Sequence, residues 1–379
     1  MKILFLSHTA AGGEFVVGSH QLSKQFALQG HSVVHLSPPI TPAHVALWRK
    51  PFEVKRFKRW WRSGDVINQA LDVIPASILP WGLANKLAVP TSVFGFFLKF
   101  SALRQLKRHD FLEPDIVLID EPRLVYLLQY FPKAKIVYRP TDVYHEIRND
   151  PSIIEAEKRV IAHARHFIAT SEPVKQHLHG LGVNDVLLLQ NGVDLEHYLQ
   201  FEHQELSLPP APRALYAGAL DHRFGFGILR LIAQENPQVS FLMAGPVEDK
   251  YKAEFAPLAN VHFLGHVKYA ALPNLMQHCQ FGLLPLSGHP SNAGRSPMKL
   301  FEYAAIGLPV VSSKTPELER RALPFVLLAE TPQEFNQKLQ TLLSVDLASL
   351  AQQAKEIALE ESWASKVRCI INYLIKDTK

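Results

Sequence analysis

Apolar runs of strand length alternate along the chain with longer segments in which apolar residues recur at helical spacing. Residues 2–6 and 32–36 are such runs, and residues 19–29, which end before Gly30, have the helical spacing between them. A strand, a helix and a second strand in so short a segment are typical of a parallel sheet, because a helix returns the chain to the neighbouring strand. The opening of the chain therefore predicts an α/β fold.

The same alternation continues in two series, separated by a polar and proline-rich segment at about residues 200–212 that we interpret as a linker. The further runs are 115–119, 135–138, 167–169 and 186–189 in the first series, and 213–216, 239–244, 261–264, 281–285, 309–312 and 325–328 in the second. Uninterrupted apolar strands indicate sheets that helices cover on both faces. The pattern predicts an α/β protein with two Rossmann-like domains facing each other across a cleft. Their limits are residues 1–200 and 201–355, and a final helical segment follows at 356–379.

The composition fits this organisation and excludes several classes of protein. The chain has 379 residues, of which 47% are hydrophobic and 20% charged, which is enough for packed cores in two domains. Its two cysteines, Cys279 and Cys369, lie far apart, so neither a disulfide framework nor a cysteine zinc site is indicated. A reducing cytoplasm is the simplest compartment. The net charge of +5 favours anionic partners.

No segment has the pattern of an export signal or of a membrane span. The first residues carry a single lysine and only a short apolar run, which is a poor signal peptide. The longest uncharged apolar stretch lies between Lys86 and Lys99 and contains Pro90 and Gly95. It is shorter than the ~20 residues that a spanning helix needs, so we expect no transmembrane helix.

Residues 287–311 combine a loop rich in Gly, Ser and Asn with the start of a helix. Ser296 is a favoured N-cap and Pro297 a favoured first helical residue, so we predict that the helix begins at Pro297. The free N–H groups and the dipole of a helix start attract anions, and Lys299 in the first turn can join them on a phosphate.

The next turn of this helix extends the predicted anion site. Glu302 and Met298 can share the helical face of Lys299. A carboxylate at Glu302 can accept hydrogen bonds from both hydroxyls of a ribose, so the helix predicts a site for a nucleoside diphosphate. The alternative interpretation is an ordinary helix with a surface Lys–Glu pair.

This segment resembles the donor-binding helix of the GT-B fold glycosyltransferases. The resemblance rests on the run Pro-Met-Lys-Leu-Phe-Glu-Tyr-Ala-Ala-Ile-Gly-Leu-Pro-Val-Val at residues 297–311. Further matches follow the order of that family along most of the chain, at the opening strand with its glycine turn and at residues 190–194, 216–218, 243–246, 263–265 and 362–363.

The resemblance implies roles for individual donor-side residues. Lys299 contacts the diphosphate, Glu302 the ribose, and Met298 the base or the sugar. Gly218 lets the backbone approach the phosphate. Arg223 is placed where relatives carry a basic phosphate ligand, and a surface arginine is the alternative for it.

Residues 135–142 resemble the Tyr-Arg-x-x-Asp segment of the inverting glucuronosyltransferases of xanthan assembly. By this resemblance Asp142 is the general base that takes the proton of the acceptor hydroxyl; a helix N-cap is the alternative. The large retaining GT-B enzymes often carry an acidic residue eight positions before their ribose glutamate, where this chain has Gly294. This departure argues against assignment to the retaining group.

Further acceptor-side candidates lie near Asp142 and near the end of the first strand. They are His8, Gly13, Arg139, His145 and Glu146. His145 and Glu146 could replace or assist Asp142, and a structural role is the alternative for His8. The cations that could pair with a glucuronate carboxylate are Arg139, Arg223 and Arg295.

The chain contains no Asp-x-Asp pair, which the metal-dependent GT-A glycosyltransferases use to hold a cation at the diphosphate. We therefore expect no metal and no other cofactor. A UDP-sugar enters as co-substrate, and the helix start with Lys299 stabilises its diphosphate.

Residues 48–62 interleave basic and aromatic side chains, a composition typical of segments that lie on anionic lipid. The predicted contact residues are Trp48, Arg49, Lys55, Arg56, Lys58, Arg59, Trp60 and Trp61. With the apolar residues 87–100, they define a membrane-contact segment at 48–106 in the acceptor-binding first domain. A solvated basic helix and a buried helix are the alternatives, and nucleic acid is not expected because no nucleic-acid fold signature accompanies the charge.

Together these features predict an inverting, metal-independent glycosyltransferase on the inner face of the cell membrane. It uses a UDP-sugar, with glucuronate implied by resemblance, and a lipid-linked saccharide acceptor in surface polysaccharide biosynthesis. The rivals are a retaining GT-B glycosyltransferase, a nucleotide-sugar epimerase and a non-catalytic nucleotide-binding protein. In similar enzymes the last helix, here within residues 356–379, packs back on the first domain.

Overall fold

The computed structural model describes residues 1–13, 16–45, 50–78, 91–289, 292 and 297–376, without the side chains of residues 45, 91–94 and 97. Its contacts divide the chain into two units. The first unit is Met1–Gln190 together with the C-terminal residues from Lys366 onward, and the second unit is Asn191–Ser365.

Helices follow most of the strands, as the alternating pattern predicts. In the first unit they are α1 (Gly18–Leu28), α2 (Pro42–Val45), α3 (Pro51–Arg62), α4 (Thr91–Arg108), a 3-10 helix (Pro122–Tyr130), α5 (Tyr144–Ile147), α6 (Ser152–His163) and α7 (Glu172–Gly180). In the second unit they are α8 (Leu195–Leu199), α9 (Phe226–Glu235), α10 (Asp249–Phe255), a 3-10 helix (Tyr269–Ala271), α11 (Leu272–Gln277), α12 (Met298–Ile306), α13 (Pro316–Arg321), α14 (Pro332–Ser344) and α15 (Ala348–Glu360). The last helix, α16 (Trp363–Lys376), contributes residues to both units.

The first unit is built on one mostly parallel sheet. Its strands are β1 (Lys2–Leu6), β2 (Ser32–Leu36), β3 (Asp65–Ile67), β4 (Ala70–Val73), β5 (Ile116–Ile119), β6 (Lys135–Tyr138), β7 (His166–Ala169) and β8 (Leu187–Leu188). Among the described residues their order across the sheet is β3-β4-β2-β1-β5-β6-β7-β8, and only the β3–β4 pair is antiparallel. Central residues such as Leu4, Val117 and Val137 are fully buried, because helices cover both faces of the sheet.

The hairpin β3–β4 is the part of this sheet that the apolar pattern does not predict. Its turn residues Asn68 and Gln69 both have positive φ, at 49° and 69°, as a two-residue hairpin of type I′ requires. Val66 in β3 is 65% exposed, so this edge strand lacks the continuous apolar run by which buried strands are recognised.

The second unit has its own parallel sheet. Its strands are β9 (Arg213–Ala217), β10 (Ser240–Ala244), β11 (Val261–Gly265), β12 (Phe281–Leu284), β13 (Val310–Ser313) and β14 (Val326–Ala329). In the described part of this unit their order is β11-β10-β9-β12-β13-β14. The change of direction beside β9 places the carboxyl ends of β9 and β12 at the point where ligands bind in open α/β sheets.

The linker predicted at about residues 200–212 belongs to the second unit, which begins at Asn191. Val193 donates its N–H to the Glu361 carbonyl at 3.0 Å and accepts the N–H of Trp363 at 3.0 Å. Gln204 donates its N–H to Asn274 Oδ1 at 3.0 Å. The boundary therefore lies earlier than the polar segment, because that segment is itself tied to the second unit.

The end of α16 packs within the first unit. The Lys135 ammonium donates to the Leu374 carbonyl at 2.8 Å, and the ring centroids of His166 and Tyr373 are 5.5 Å apart in an edge-on arrangement. Among the helices that the structure describes, none is both long enough and apolar enough to cross a membrane.

Candidate active site

Helix α12 presents the predicted donor residues on its partly exposed face. Leu300, Phe301 and Ala304 are buried on its other face, and Gly307 ends it in the left-handed conformation, with φ 85°. The helix begins at Met298 rather than at Pro297, because Pro297 is extended, with φ −70° and ψ 116°.

The predicted N-cap, Ser296, lies outside the described residues, as do Gly294 and Arg295. In the structure the N-cap position belongs to Pro297 instead. Met298, Lys299 and Glu302 are all partly exposed, so the predicted sharing of one accessible face agrees with the burial pattern of the helix.

The structure brings Gly218 and Lys299 together. Gly218 directly follows β9, and a Cβ at this position would collide with the Lys299 ammonium. Its φ of 151° is one that L side chains rarely adopt, and its N–H donates to the Ala244 carbonyl at 2.8 Å. The Lys299 Nζ also lies 4.1 Å from the ring centroid of Tyr216. A cation therefore lies directly over a backbone that only glycine leaves open.

Glu302 lies one turn further along α12. Burial raises the pKa of its carboxyl to about 7, although Lys299 and the Tyr198 hydroxyl act in the opposite direction. Tyr198, on α8, is fully buried. A carboxyl group with this pKa is partly protonated near neutral pH. A ligand that donates hydrogen bonds to it stabilises its ionised form.

Arg223 already has a counter-ion, Asp221, that the sequence pattern did not single out. Arg223 Nε donates to Asp221 Oδ1 at 2.9 Å, and a second guanidinium nitrogen contacts Oδ2. Despite partial burial, these hydrogen bonds lower the pKa of Asp221 to about 2. The Asn292 side chain also stabilises the turn at residues 221–223, because its Nδ2 donates to the Arg223 carbonyl at 3.0 Å. The Arg223 side chain remains 33% exposed.

In the first unit, the carboxyl ends of the adjacent strands β1, β5 and β6 bring several predicted acceptor-side residues to one sheet edge. His8 follows β1, and its Nδ1 lies 3.5 Å from Asp120 Oδ1, after β5. Burial acts to lower the pKa of His8, but the Asp120 carboxylate outweighs it and raises this pKa. Burial likewise acts to raise the pKa of Asp120, and His8 reverses that direction. The two side chains lie side by side and are largely buried, and the sequence analysis did not single out Asp120.

Asp142 follows β6 and is exposed. The loop that carries it is held by Tyr144, whose buried hydroxyl accepts the Thr141 N–H at 3.2 Å. Thr170 Oγ1 donates to the Thr141 carbonyl at 2.9 Å. An accessible carboxylate on a fixed loop fits the predicted role as a base.

Arg139 is a different case from its sequence prediction. It is 2% exposed, so a saccharide acceptor in solution cannot contact its guanidinium group. Burial lowers the pKa of Arg139, while Asp120, Tyr144 and Asp142 oppose that effect. Arg139 is therefore a buried cation behind the carboxylates of this edge, and the prediction of an acceptor contact is wrong.

The remaining acceptor-side candidates, Gly13, His145 and Glu146, differ in their contacts and in their exposure to solvent. The residue that needs a left-handed backbone in the glycine turn is Gly12, with φ 74°, whereas Gly13 lies beside the Phe52 ring. His145 is partly buried and its ring faces that of His177, with centroids 5.1 Å apart. Glu146 is exposed.

Helix α3 contains most of the predicted membrane-contact residues; Trp48 and Arg49 lie outside the described residues. Arg56 and Arg59 are each 6% exposed, so their assignment to a membrane surface is wrong. Arg56 donates to Glu53 at 3.0 Å. Arg59 contacts the Asp72 carboxylate on β4 and donates to the Ala11 carbonyl at 2.9 Å. The two arginines point inward because buried acceptors are available there.

The outer face of α3 is basic and aromatic. Lys55, Lys58 and Arg62 are exposed, Trp60 is partly buried, and Trp61 is 74% exposed. This face borders a groove of about 950 Å³ between α3, α4 and the segment after β4. The exposed apolar residues in its lining are Trp61, Ile78 and Phe100, and the exposed basic ones are Arg104 and Arg108.

Two protein families match successive parts of this chain. The model described as "Glucuronosyltransferase GumK, N-terminal domain" matches residues 5–169, and the model described as "Glycosyl transferase-like" matches residues 227–371. Both matches are to glycosyltransferase families, and the two-domain fold is that of the GT-B glycosyltransferases. The predicted fold class, an α/β protein with two Rossmann-like domains, is confirmed.

Among curated relatives, the teichuronic acid biosynthesis glycosyltransferase TuaH of Bacillus subtilis is 24% identical over 235 residues. The match covers 58% of this chain and 59% of that protein, so it spans less than two thirds of the relative's length. Sucrose-phosphate synthase from Thermosynechococcus elongatus has a TM-score of 0.74 at 15% identity, covering 99% of this chain and 98% of that one. Anabaena HepE, in complex with UDP and glucose, has a TM-score of 0.67 at 17% identity, covering 99% of this chain and 100% of that one. At these identities the structural likeness establishes the fold.

Proposed function

We propose that this protein transfers a sugar from a UDP-sugar to a lipid-linked saccharide in polysaccharide biosynthesis, with inversion at the anomeric carbon. Glucuronate is the proposed sugar. The observation that carries the donor half is the Lys299 ammonium above Gly218, with Glu302 one turn along the same helix. The relatives named for GumK, teichuronic acid and HepE bound to UDP support the substrate class.

In this reaction the side chains have separate tasks. Asp142 accepts the proton of the acceptor hydroxyl while its oxygen bonds to the anomeric carbon of the sugar. The bond from that carbon to the diphosphate breaks, and UDP leaves with the bonding electrons. Lys299 and the N–H groups at the start of α12 stabilise the negative charge on the leaving diphosphate. A single displacement inverts the configuration, and this arrangement needs no metal at the diphosphate.

The site suggests how a glucuronate carboxylate is recognised. Arg139 is buried and Arg295 lies outside the described residues, whereas Arg223 keeps a third of its side chain exposed. Arg223 forms an ion pair with Asp221, so a sugar carboxylate has to compete with Asp221 for the guanidinium group. We propose Arg223 as the residue that distinguishes UDP-glucuronate from UDP-glucose.

The lipid part of the acceptor fits the groove beside α3. Its exposed Trp61, Ile78 and Phe100 offer an apolar surface, and Arg104 and Arg108 offer cations for a lipid phosphate. Basic residues beside apolar ones are the combination that binds anionic membrane surfaces. We therefore propose that the protein acts peripherally on the inner face of the cell membrane.

A transfer assay with purified protein tests this proposal. UDP-glucuronate and UDP-glucose are offered with polyprenyl-diphosphate-linked saccharides, and the anomeric configuration of the product is determined by NMR. We expect Asp142→Asn to lower kcat by about 10²–10⁴-fold with UDP affinity unchanged. Glu155→Gln, which removes an exposed carboxylate from α6 of the same unit, is the matched control. A product with retained configuration, or an active Asp142→Asn variant, would contradict the inverting mechanism.

A further inference from the structure

Three helices of the first unit bring two histidines and a glutamate together beside the Asp142 loop. His145 lies on α5, Glu157 on α6 and His177 on α7. One side-chain nitrogen or oxygen of each residue lies within 4.8 Å of the others. The donor-binding and base roles proposed above use none of these groups.

The carboxylate at the centre of this cluster is fully buried and held on both sides. Tyr138 donates its hydroxyl hydrogen to Glu157 Oε1 at 2.6 Å, and His177 Nε2 lies 2.9 Å from Glu157 Oε2. The exposed fraction of the His177 side chain is only 12%. Burying a carboxylate is costly unless strong partners surround it.

The hydrogen bond between Glu157 and His177 does not account for His145. Its Nδ1 is buried and makes no hydrogen bond within the described part of the chain. Its other nitrogen, Nε2, lies 4.0 Å from Glu146 Oε1. A buried ring nitrogen without a partner next to a carboxylate and a second imidazole is an arrangement that a bound cation completes.

We propose that His145, Glu157 and His177 bind a divalent transition-metal ion, with Zn²⁺ as the best match. Two imidazoles and one carboxylate form a three-ligand set that Zn²⁺ accepts, with water in the fourth position. In a tetrahedral site with bonds of about 2.0–2.1 Å the ligand atoms are ~3.4 Å apart, so the observed separations require only small side-chain rotations.

The surroundings match the outer contacts that metal ligands usually have. The Tyr138 hydroxyl orients the Glu157 carboxylate from one side. The cluster is thus more complete than three ligands alone.

The proposed ion ties α5 to α6 and α7, and α5 directly follows the loop that carries Asp142. Its effect is to position that loop, because the ion links His145 to a carboxylate that β6 and α6 already hold. The roles proposed for the transfer reaction use none of the three ligands, and zinc binding can be measured without that reaction.

Zinc binding to the chelator-treated 379-residue chain tests the proposal. Titration with ZnCl₂ is followed by competition with a colorimetric chelator, and thermal stability is measured in parallel. We expect one strong site per chain, a higher Tm with Zn²⁺, and loss of both in the double variant His145→Ala/His177→Ala. Tyr138→Phe, which keeps all three ligands, should weaken zinc binding about 10–100-fold.

His163→Ala is the matched control, since it removes an exposed histidine from α6, the helix that carries Glu157. It should bind zinc as the wild type does. Equal zinc affinity in the wild type and in the double variant, or no site stronger than surface histidines provide, would overturn the proposal. Neither result depends on sugar transfer, so failure of this site and failure of the proposed function remain distinguishable.

Discussion

Helices α12 and α3 both carry charged residues that the sequence pattern assigns to ligand contact, and the structure treats them differently. In α12, Lys299 and Glu302 lie on the partly exposed face, with Lys299 directly against Gly218. In α3, Arg56 and Arg59 turn inward to buried acceptors, while Lys55 and Lys58 remain exposed.

The difference follows from how many charges each helix carries. In α12 two charges stand in an otherwise apolar helix, so the apolar residues define the buried side and leave the charges on the other. In α3 basic residues occur all round the helix, and the sequence of the helix alone cannot show which of them meets a buried carboxylate. The partner of Arg59 is Asp72 on β4, a strand that the apolar pattern also failed to predict. A dense basic segment is therefore weaker evidence for a binding surface than isolated charges on an apolar helix.

The largest expected effect separates the two kinds of basic residue within α3. Arg59→Ala leaves the Asp72 carboxylate buried without its charged partner, and we expect the free energy of unfolding to fall by about 3–5 kcal/mol. Lys58→Ala removes the exposed lysine just before Arg59 and should change the free energy of unfolding by no more than about 0.5 kcal/mol. Urea denaturation of both variants provides the comparison. Equal stability of the two variants would mean that Arg59 is not a structural residue.

A smaller effect is expected from adding a side chain at Gly218, next to the Lys299 ammonium. Gly218→Ala places a methyl group on the Lys299 ammonium in a backbone conformation that costs about 1–3 kcal/mol for other residues. We expect UDP affinity to fall by at least about tenfold. Gly227→Ala is the control, because a Cβ there meets nothing within 4 Å. Calorimetric titration with UDP measures both, and unchanged affinity in Gly218→Ala would remove Gly218 from the site.

The raised pKa of Glu302 predicts a pH dependence of donor binding. Ribose hydroxyls donate to the ionised carboxylate, so binding should release a proton, and affinity should rise as pH increases through about 7. UDP-glucose is the suitable probe, because its diphosphate does not titrate in this range, and calorimetry in two buffers of different ionisation enthalpy counts the released protons. Glu302→Gln should abolish the dependence. Persistence of the same pH profile in this variant would assign it to another group.

The same pKa affects the stability of the free protein. Because the folded-state pKa of Glu302 lies above its unfolded value, its stabilising contribution is present at low pH and is lost as pH rises through about 7. Denaturation of the wild type and of Glu302→Gln between pH 4 and pH 8 should show this slope in the wild type alone.

The smallest effect concerns the outer face of α3. Each exposed lysine near an anionic membrane contributes about 1 kcal/mol, so Lys55→Ala/Lys58→Ala should weaken co-sedimentation with anionic vesicles, most clearly at low salt. Lys338→Ala, an exposed lysine of the second unit, is the control. If the protein does not bind anionic vesicles at low salt, the membrane role of α3 is wrong.

The sequence predicts the fold more completely than it predicts the sites. Buried strands such as β6 have a continuous apolar run, and both sheets follow from that signal. The donor residues Lys299 and Glu302 could be predicted because they lie close together in one helix. Asp120 was missed because its partner His8 is 112 positions away, and the cluster of His145, Glu157 and His177 because its members come from three helices. Asp221 was missed although it lies two residues before Arg223, because no known motif connects the two.

The donor site of α12 is tested most directly by calorimetric titration of UDP into wild type and Lys299→Ala in the presence of a chelator. Loss of a charge-assisted contact to the diphosphate should weaken binding by roughly 10–100-fold, or about 1.5–3 kcal/mol. Lys338→Ala should bind UDP as tightly as the wild type. If UDP does not bind without metal, or binds Lys299→Ala with the wild-type affinity, the assignment of this helix to the donor is wrong.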